Sequence, residues 1–244
     1  MNSHSNYYEE RLYPLQDGVL NCVAGCGTDF FLTGGTALNR FYKPVRYSDD
    51  LDFFLQSEAD FTDQVDSILD ALRITGFLID LSAESIRTGD FYTLIIFHPD
   101  DPVVKLKLDF VKDIPIHYGA FLEKEKAPNI DSPRNILSNK ITALFRFEAK
   151  DVADIHTLCS FMCFNWQEIL AEARQKEAGI EAPLAAEILT GMPKDDFNAV
   201  KWIERPDWAQ FRSEIASIAE QLLKGTDNHL ARLGTTKLEF PLSR

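Results

Sequence analysis

Every strand-like run of this 244-residue chain lies before residue 112, and from about Pro133 onward every apolar pattern is helical. FFL (30–32), LDFFL (51–55), FLIDLSA, FYTLIIFH (91–98) and VVKLKLDFV (103–111) read as strands, and HPDDP between the last two predicts a hairpin. Among them, residues 6–26 pattern as a helix that stops at Gly27, and TALNRFY as a shorter one. FTDQVDSILDALRITG places Val65, Ile68, Leu69 and Leu72 at helical spacing and closes on Gly76. After a connector rich in proline and charge, PRNILSNKITALFRF, AKDVADIHTLCSFM, WQEILAEARQKEAG, PLAAEILTGM and WAQFRSEIASIAEQLLKG all read as helices. Strands first and helices after predict an α+β protein, with a mixed-sheet domain over residues 1–120 and a helical domain over 121–244.

Composition narrows what such a chain does. At 45% apolar and 26% charged it is an ordinary globular sequence. No run approaches the ~18 apolar residues of a membrane span, and the polar N-terminus carries no signal-peptide core. The expectation is a cytoplasmic protein with no membrane partner. A formal charge of −13 argues against a general nucleic-acid-binding module, while leaving room for an enzyme that engages only the end of a nucleic acid. Cys22/Cys26 and Cys159/Cys163 form two C-x3-C pairs. A four-thiolate zinc site is conceivable, but the apolar surroundings favour four buried, reduced thiols.

Chemistry concentrates in FFLTGGTALNRFYKPVRYSDDLDFFL, residues 30–55. Gly34 and Gly35 follow an apolar strand and open a helix, which lets backbone N–H groups face an anion without side-chain obstruction. Asp50 and Asp52 alternate with Leu51 and Phe53, so both carboxylates share the face opposite the apolar pair. Like charges placed this way repel, and a sequence that breaks a local rule in this manner marks a functional site. Asp49 reads as a solvated bystander. In VVKLKLDFV, Val104, Leu106, Leu108 and Phe110 take one face, and Lys105, Lys107 and Asp109 take the other. Asp109 is then the third carboxylate that a hard-oxygen magnesium site would need.

FLTGGTAL followed by RYSDDLDFF resembles the polymerase-β-type nucleotidyltransferase superfamily, and within it the AbiEii/AbiGii-type toxin nucleotidyltransferases. NKITALFRFEAKDVADIHTL resembles that family's helical Lys-x3-Leu, Arg and Lys-Asp-x2-Asp segment. The resemblance covers roughly residues 28 to 160. Fourteen residues separate Gly35 from Asp50, slightly more than the family's usual spacing. It implies a polymerase-β-like fold and an enzyme moving a nucleotide from an NTP with two Mg²⁺ ions. Gly34, Gly35, Thr36 and Ser48 would hold the nucleotide phosphates, and Asp50, Asp52 and Asp109 the metals. Lys140 would bind the triphosphate and offset charge on the leaving pyrophosphate, with Asp151 or Asp154 completing the nucleotide site.

The acceptor implied is an RNA such as a tRNA 3′ end, or a protein hydroxyl, and a cognate antitoxin is the implied partner. Two other readings stay open on the residues alone. One is a catalytically silent nucleotide-binding module. The other is a small-molecule nucleotidyltransferase that modifies an antibiotic. The helical residues also have plainer readings: Lys140 as a lysine snorkelling over a core stripe, and Arg146, Lys150, Asp151 and Asp154 as surface helix pairs. His156 and the three tryptophans read most simply as core residues.

Overall fold

A computed structural model describes residues 3–57, 59–80 and 85–233. The chain divides into two compact units, Met1–Ile136 with Lys201–Glu204, and Leu137–Val200 with Arg205–Arg244.

The first unit is built on a six-stranded mixed sheet. Its strands are β1 (Phe31–Thr33), β2 (Leu51–Leu55), β3 (Leu78–Asp80), β4 (Ile86–Arg87), β5 (Phe91–His98) and β6 (Asp101–Lys112). Across the sheet the order is β1-β2-β6-β5-β3, and β4 shares the β5 edge with β3. β2 and β6 run parallel, and the other pairs are antiparallel. The hairpin read from HPDDP is present, with His98 opposite Asp101. β4 is too short for its alternation to register in the sequence, and residues 81–83 of the FLIDLSA run lie outside the described residues.

One face of this sheet is apolar without interruption. Leu51, Phe53 and Leu55 of β2 and Leu106, Leu108 and Phe110 of β6 are all fully buried. Phe53 stacks on Phe110, and Phe30 meets both Phe110 and Phe61 edge-on. Each such side chain contributes about 1.5–3 kcal/mol by leaving water. A one-residue slip would turn the whole set outward, so this face fixes the register and with it the position of every residue opposite. Helix α4 (Phe61–Ile74) adds Val65, Ile68, Leu69 and Leu72 to the core, as its spacing predicts. Asp60 caps it by accepting from the Asp63 N–H, and Gly76 ends it at a φ of +96°.

The N-terminal helical stretch runs as α1 (Ser3–Tyr7), a π-helical turn (Tyr8–Leu12) and α2 (Tyr13–Gly25). The π turn is invisible to 3.6-residue periodicity. A short helix, α3 (Gly34–Phe41), follows β1 directly.

The second unit is helical, as expected. α5 (Pro133–Ala143), whose first turn belongs to the sheet unit, leads through a 3₁₀ turn (Leu144–Arg146) to α6 (Ala149–Cys159). Then come α7 (Trp166–Lys176), α8 (Ala182–Thr190), α9 (Lys194–Ala199), α10 (Trp208–Lys224) and α11 (Leu230–Leu233). Trp166, Ile169, Leu189, Phe197, Phe211 and Leu222 form its core. His156 is a satisfied core histidine, its Nε2 2.6 Å from Glu214 and its ring against Phe211.

Cys22 and Cys159 are buried free thiols, and burial pushes the Cys159 thiol far above its ordinary pKa. Contrary to the expectation of four buried thiols, Cys26 is half-buried at the end of α2, and Cys163 is exposed because α6 ends at Cys159 and the chain leaves the helix face before it. Among the described residues no helix is long and apolar enough to cross a membrane.

Candidate active site

The glycine turn is tied to the carboxylates by direct packing. Gly34 has a φ of +71°, a conformation that L side chains rarely adopt. A Cβ at this position would collide with the Asp52 carboxylate. A Cβ on Gly35 would meet the guanidinium of Arg46 and the Ser48 hydroxyl, so the second glycine makes room for two buried polar side chains. The Thr36 hydroxyl donates to the Asp50 carbonyl and thereby fixes the backbone entering β2. Asn39 completes the brace, donating to the Gly35 carbonyl and accepting from the Val45 and Arg46 N–H groups.

Strand pairing sets the carboxylates. Asp52 lies opposite Thr33 of β1 on one side and opposite Asp109 of β6 on the other. Side chains of paired residues share a face, so Asp52 and Asp109 stand together, and Asp50 lies one residue before β2 on the same side. The Lys107 ammonium is 2.6 Å from Asp109 Oδ2. Burial works against that ammonium, but Asp109, Asp50 and Asp52 outweigh it and raise its pKa above the ordinary lysine value. The other oxygen, Asp109 Oδ1, is buried with no hydrogen-bond partner.

In the helical unit, Lys140, Asp151 and Asp154 form a second cluster. The Lys140 ammonium lies 2.7 Å from Asp151 and 2.7 Å from Asp154, and Arg146 adds a 3.0 Å contact to Asp151. Lys140 is 8% exposed, Asp151 not at all, and Asp154 1%. These three residues are thus partners of one another, and the surface-pair reading fails for both acids. Just after the 3₁₀ turn, Phe147 takes a left-handed backbone with its ring exposed, a place where helix ends usually put glycine.

Residues 19–227 match the family model of the nucleotidyl transferase AbiEii toxin, type IV TA system. The chain belongs to the AbiEii toxin family. It is a nucleotidyltransferase of the toxin–antitoxin class. No curated protein matches it in sequence. Its fold is similar to that of JHP933 from Helicobacter pylori, with a TM-score of 0.63 at 19% identity over 92% of this chain and 94% of that one. It is also similar to MenT4, the nucleotidyltransferase toxin Rv2826c of Mycobacterium tuberculosis H37Rv, with a TM-score of 0.53 at 16% identity over 91% and 85% of the two chains. Both likenesses support the polymerase-β-like architecture of this AbiEii-family chain.

Nucleotidyltransferases generally take an NTP with a divalent metal, and the strand face of this family member suits such an ion chemically. Its donors are all carboxylate oxygens, as a hard cation prefers. Asp109 Oδ1 is unsatisfied, and an orphaned buried oxygen costs about 1–3 kcal/mol unless something fills the place. Among the described residues, however, no three metal-ligating side chains are already gathered around one point. What this face holds is the Lys107 ammonium.

Several residues that shape the site escape a reading of motifs. Asp49 is no bystander: it accepts from Tyr8 at 2.6 Å and pairs with Lys201 at 2.7 Å. Tyr8 stacks on Tyr47 at 4.1 Å, and Gln16 donates to the Ser48 and Asp49 carbonyls. The π turn and α2 therefore clamp the segment that leads into Asp50. Arg46, visible in RYSDDLDFF, is buried against Gly35, and its burial could not be read from a charged residue in a loop. Asp131 stands in the proline-rich connector before α5. It is fully buried and accepts from Thr33 and Asn135, with His117 Nε2 at 2.9 Å.

Proposed function

We propose that this chain transfers a nucleoside monophosphate from an NTP to an acceptor hydroxyl, in the first place that of an RNA 3′ end such as a tRNA's. In this reading it is the magnesium-dependent toxin partner of a cognate antitoxin. The observation that carries the proposal is the in-register pairing of Asp52 with Asp109 beside the glycine turn. The family assignment supports the reaction class.

Asp50, Asp52 and Asp109 would hold two Mg²⁺ ions. Bound there, the ions would neutralise phosphate charge and lower the pKa of the attacking hydroxyl. Gly34, Gly35, Thr36 and Ser48 cradle the phosphates. Thr36 does so through its backbone, since its hydroxyl serves Asp50. The acceptor oxygen attacks the α-phosphorus in line, the bond to the bridging oxygen breaks, and pyrophosphate leaves with that electron pair. Asp109 takes the proton of the attacking hydroxyl. Lys140, Asp151 and Asp154 enter as nucleotide-binding residues on the strength of the family pattern.

The test is incubation of the purified protein with each α-labelled NTP, magnesium, total RNA and a protein extract. Label is expected in the RNA pool with release of pyrophosphate, and none after Asp50→Ala or with EDTA. Label in protein would reassign the acceptor. Full transfer by a folded Asp50→Ala variant would defeat the metal assignment.

A further inference from the structure

We propose that Lys107 is the built-in counter-ion of the strand-face site, holding Asp109 until a divalent cation takes its place. The inference rests on the metal reading of that site and adds a residue which the motif does not contain.

Three observations converge on it. Lys107 precedes Asp109 by two residues on β6, so the two side chains share a face. Its ammonium is 2.6 Å from Asp109 Oδ2. Asp50 and Lys107 are also the residues immediately before the paired Leu51 and Leu108, which brings the Asp50 end of the acid cluster to the same ammonium. The second carboxylate oxygen, Asp109 Oδ1, is buried and has no hydrogen-bond partner. The side chain of Lys107 is 46% exposed, so it can swing into solvent without disturbing the core. A divalent cation would carry twice the charge of the ammonium it replaces.

Lys105 supplies an internal control. It lies on the same face two residues earlier, bears the same charge and is occupied by Asp80 at 2.8 Å. A general loss of positive charge would be felt from either position, softened at the second by solvent screening over about 8 Å at physiological salt. Loss of a competing ligand would be felt from Lys107 alone.

The experiment is Mn²⁺ binding to the full chain without nucleotide, read by the electron paramagnetic resonance of free Mn²⁺, with thermal melts confirming that each variant is folded. Asp52→Asn should abolish binding. Lys107→Met should tighten Mn²⁺ about three- to fivefold, the scale of a partly exposed ion pair. Lys107→Arg and Lys105→Met should bind as wild type does. If wild type binds no Mn²⁺, or Asp52→Asn binds it as well as wild type, the metal reading falls and the counter-ion role with it. If Asp52→Asn fails as expected but Lys107→Met is no tighter than wild type, or Lys105→Met tightens equally, the counter-ion role alone is overturned.

Discussion

Two charged clusters in this chain use the same residue types to opposite ends. On the strand face, one Asp109 oxygen meets a half-exposed ammonium, and its other, buried oxygen has no hydrogen-bond partner. In the helical unit, two buried carboxylates face a buried lysine and an arginine, and the charges cancel. In the proposed reading, the first cluster gives up stability to remain available to a cation. The second ties α5 to α6 through buried ion pairs. Unbalanced charge tolerated at a surface marks a site, whereas paired buried charge also ties the fold together, whatever else it binds.

The largest effects should separate the clusters by kind. Asp52→Asn is expected to lower transfer by about a thousandfold, the several kcal/mol that ligand loss costs at a metal site. The same change should lower the melting temperature far less than it lowers transfer, because Asp52 is only half-buried and stands among like charges. Lys140→Met should do the reverse to the fold. Two buried carboxylates would lose their main partner, at a cost of about 3–5 kcal/mol in urea unfolding. A Lys140→Met protein as stable as wild type would show that the helical cluster is not the scaffold described. Lys107→Met, by contrast, should change stability by under about 1 kcal/mol, as exposed pairs do.

Gly34→Ala sharpens the comparison at its structural root. The left-handed backbone alone costs an alanine about 1–2 kcal/mol, and the added Cβ must also push the Asp52 carboxylate aside. Stability should fall by that amount, while transfer falls further than stability can explain. Equal activity per folded molecule would mean that the glycine serves only the turn.

How much of this was legible in the sequence follows from the range of each interaction. The Asp-x-Asp alternation and the strand of Asp109 were readable because period-two patterning is local and the buried face pins it. The convergence of Asp52 and Asp109 was not local, since it depends on β2 and β6 being parallel neighbours, and only the family pattern pointed to it. Lys140 with Asp151 and Asp154 could be read as one helical block, but spacing along α5 and α6 could not show that their charges close on one another. Tyr8, Gln16 and Asp131 were illegible for a simpler reason: each acts through hydrogen bonds that span dozens of residues, with no periodicity to announce them.

The smallest expected effect concerns the clamp behind the strand-face site. Burial, and then the hydrogen bond to Asp49, raises the Tyr8 phenol above its ordinary pKa. Burial also pushes Tyr13 up to about 12, with Ser48 and Arg40 working the other way. Both folded-state values exceed the unfolded one, so the folded state favours the neutral phenols. Their contribution is fully present below about pH 10 and is lost as the pH rises through the folded values. Urea unfolding at pH 8 and pH 11 should therefore show a loss of stability in alkali. Tyr8→Phe keeps the stack on Tyr47 but removes the bond to Asp49, and should cost about 1–2 kcal/mol at pH 8. It should also show a smaller loss between the two pH values than wild type. If its alkaline loss equals that of wild type, the phenol of Tyr8 is not what ties the N-terminal helix to the segment entering Asp50.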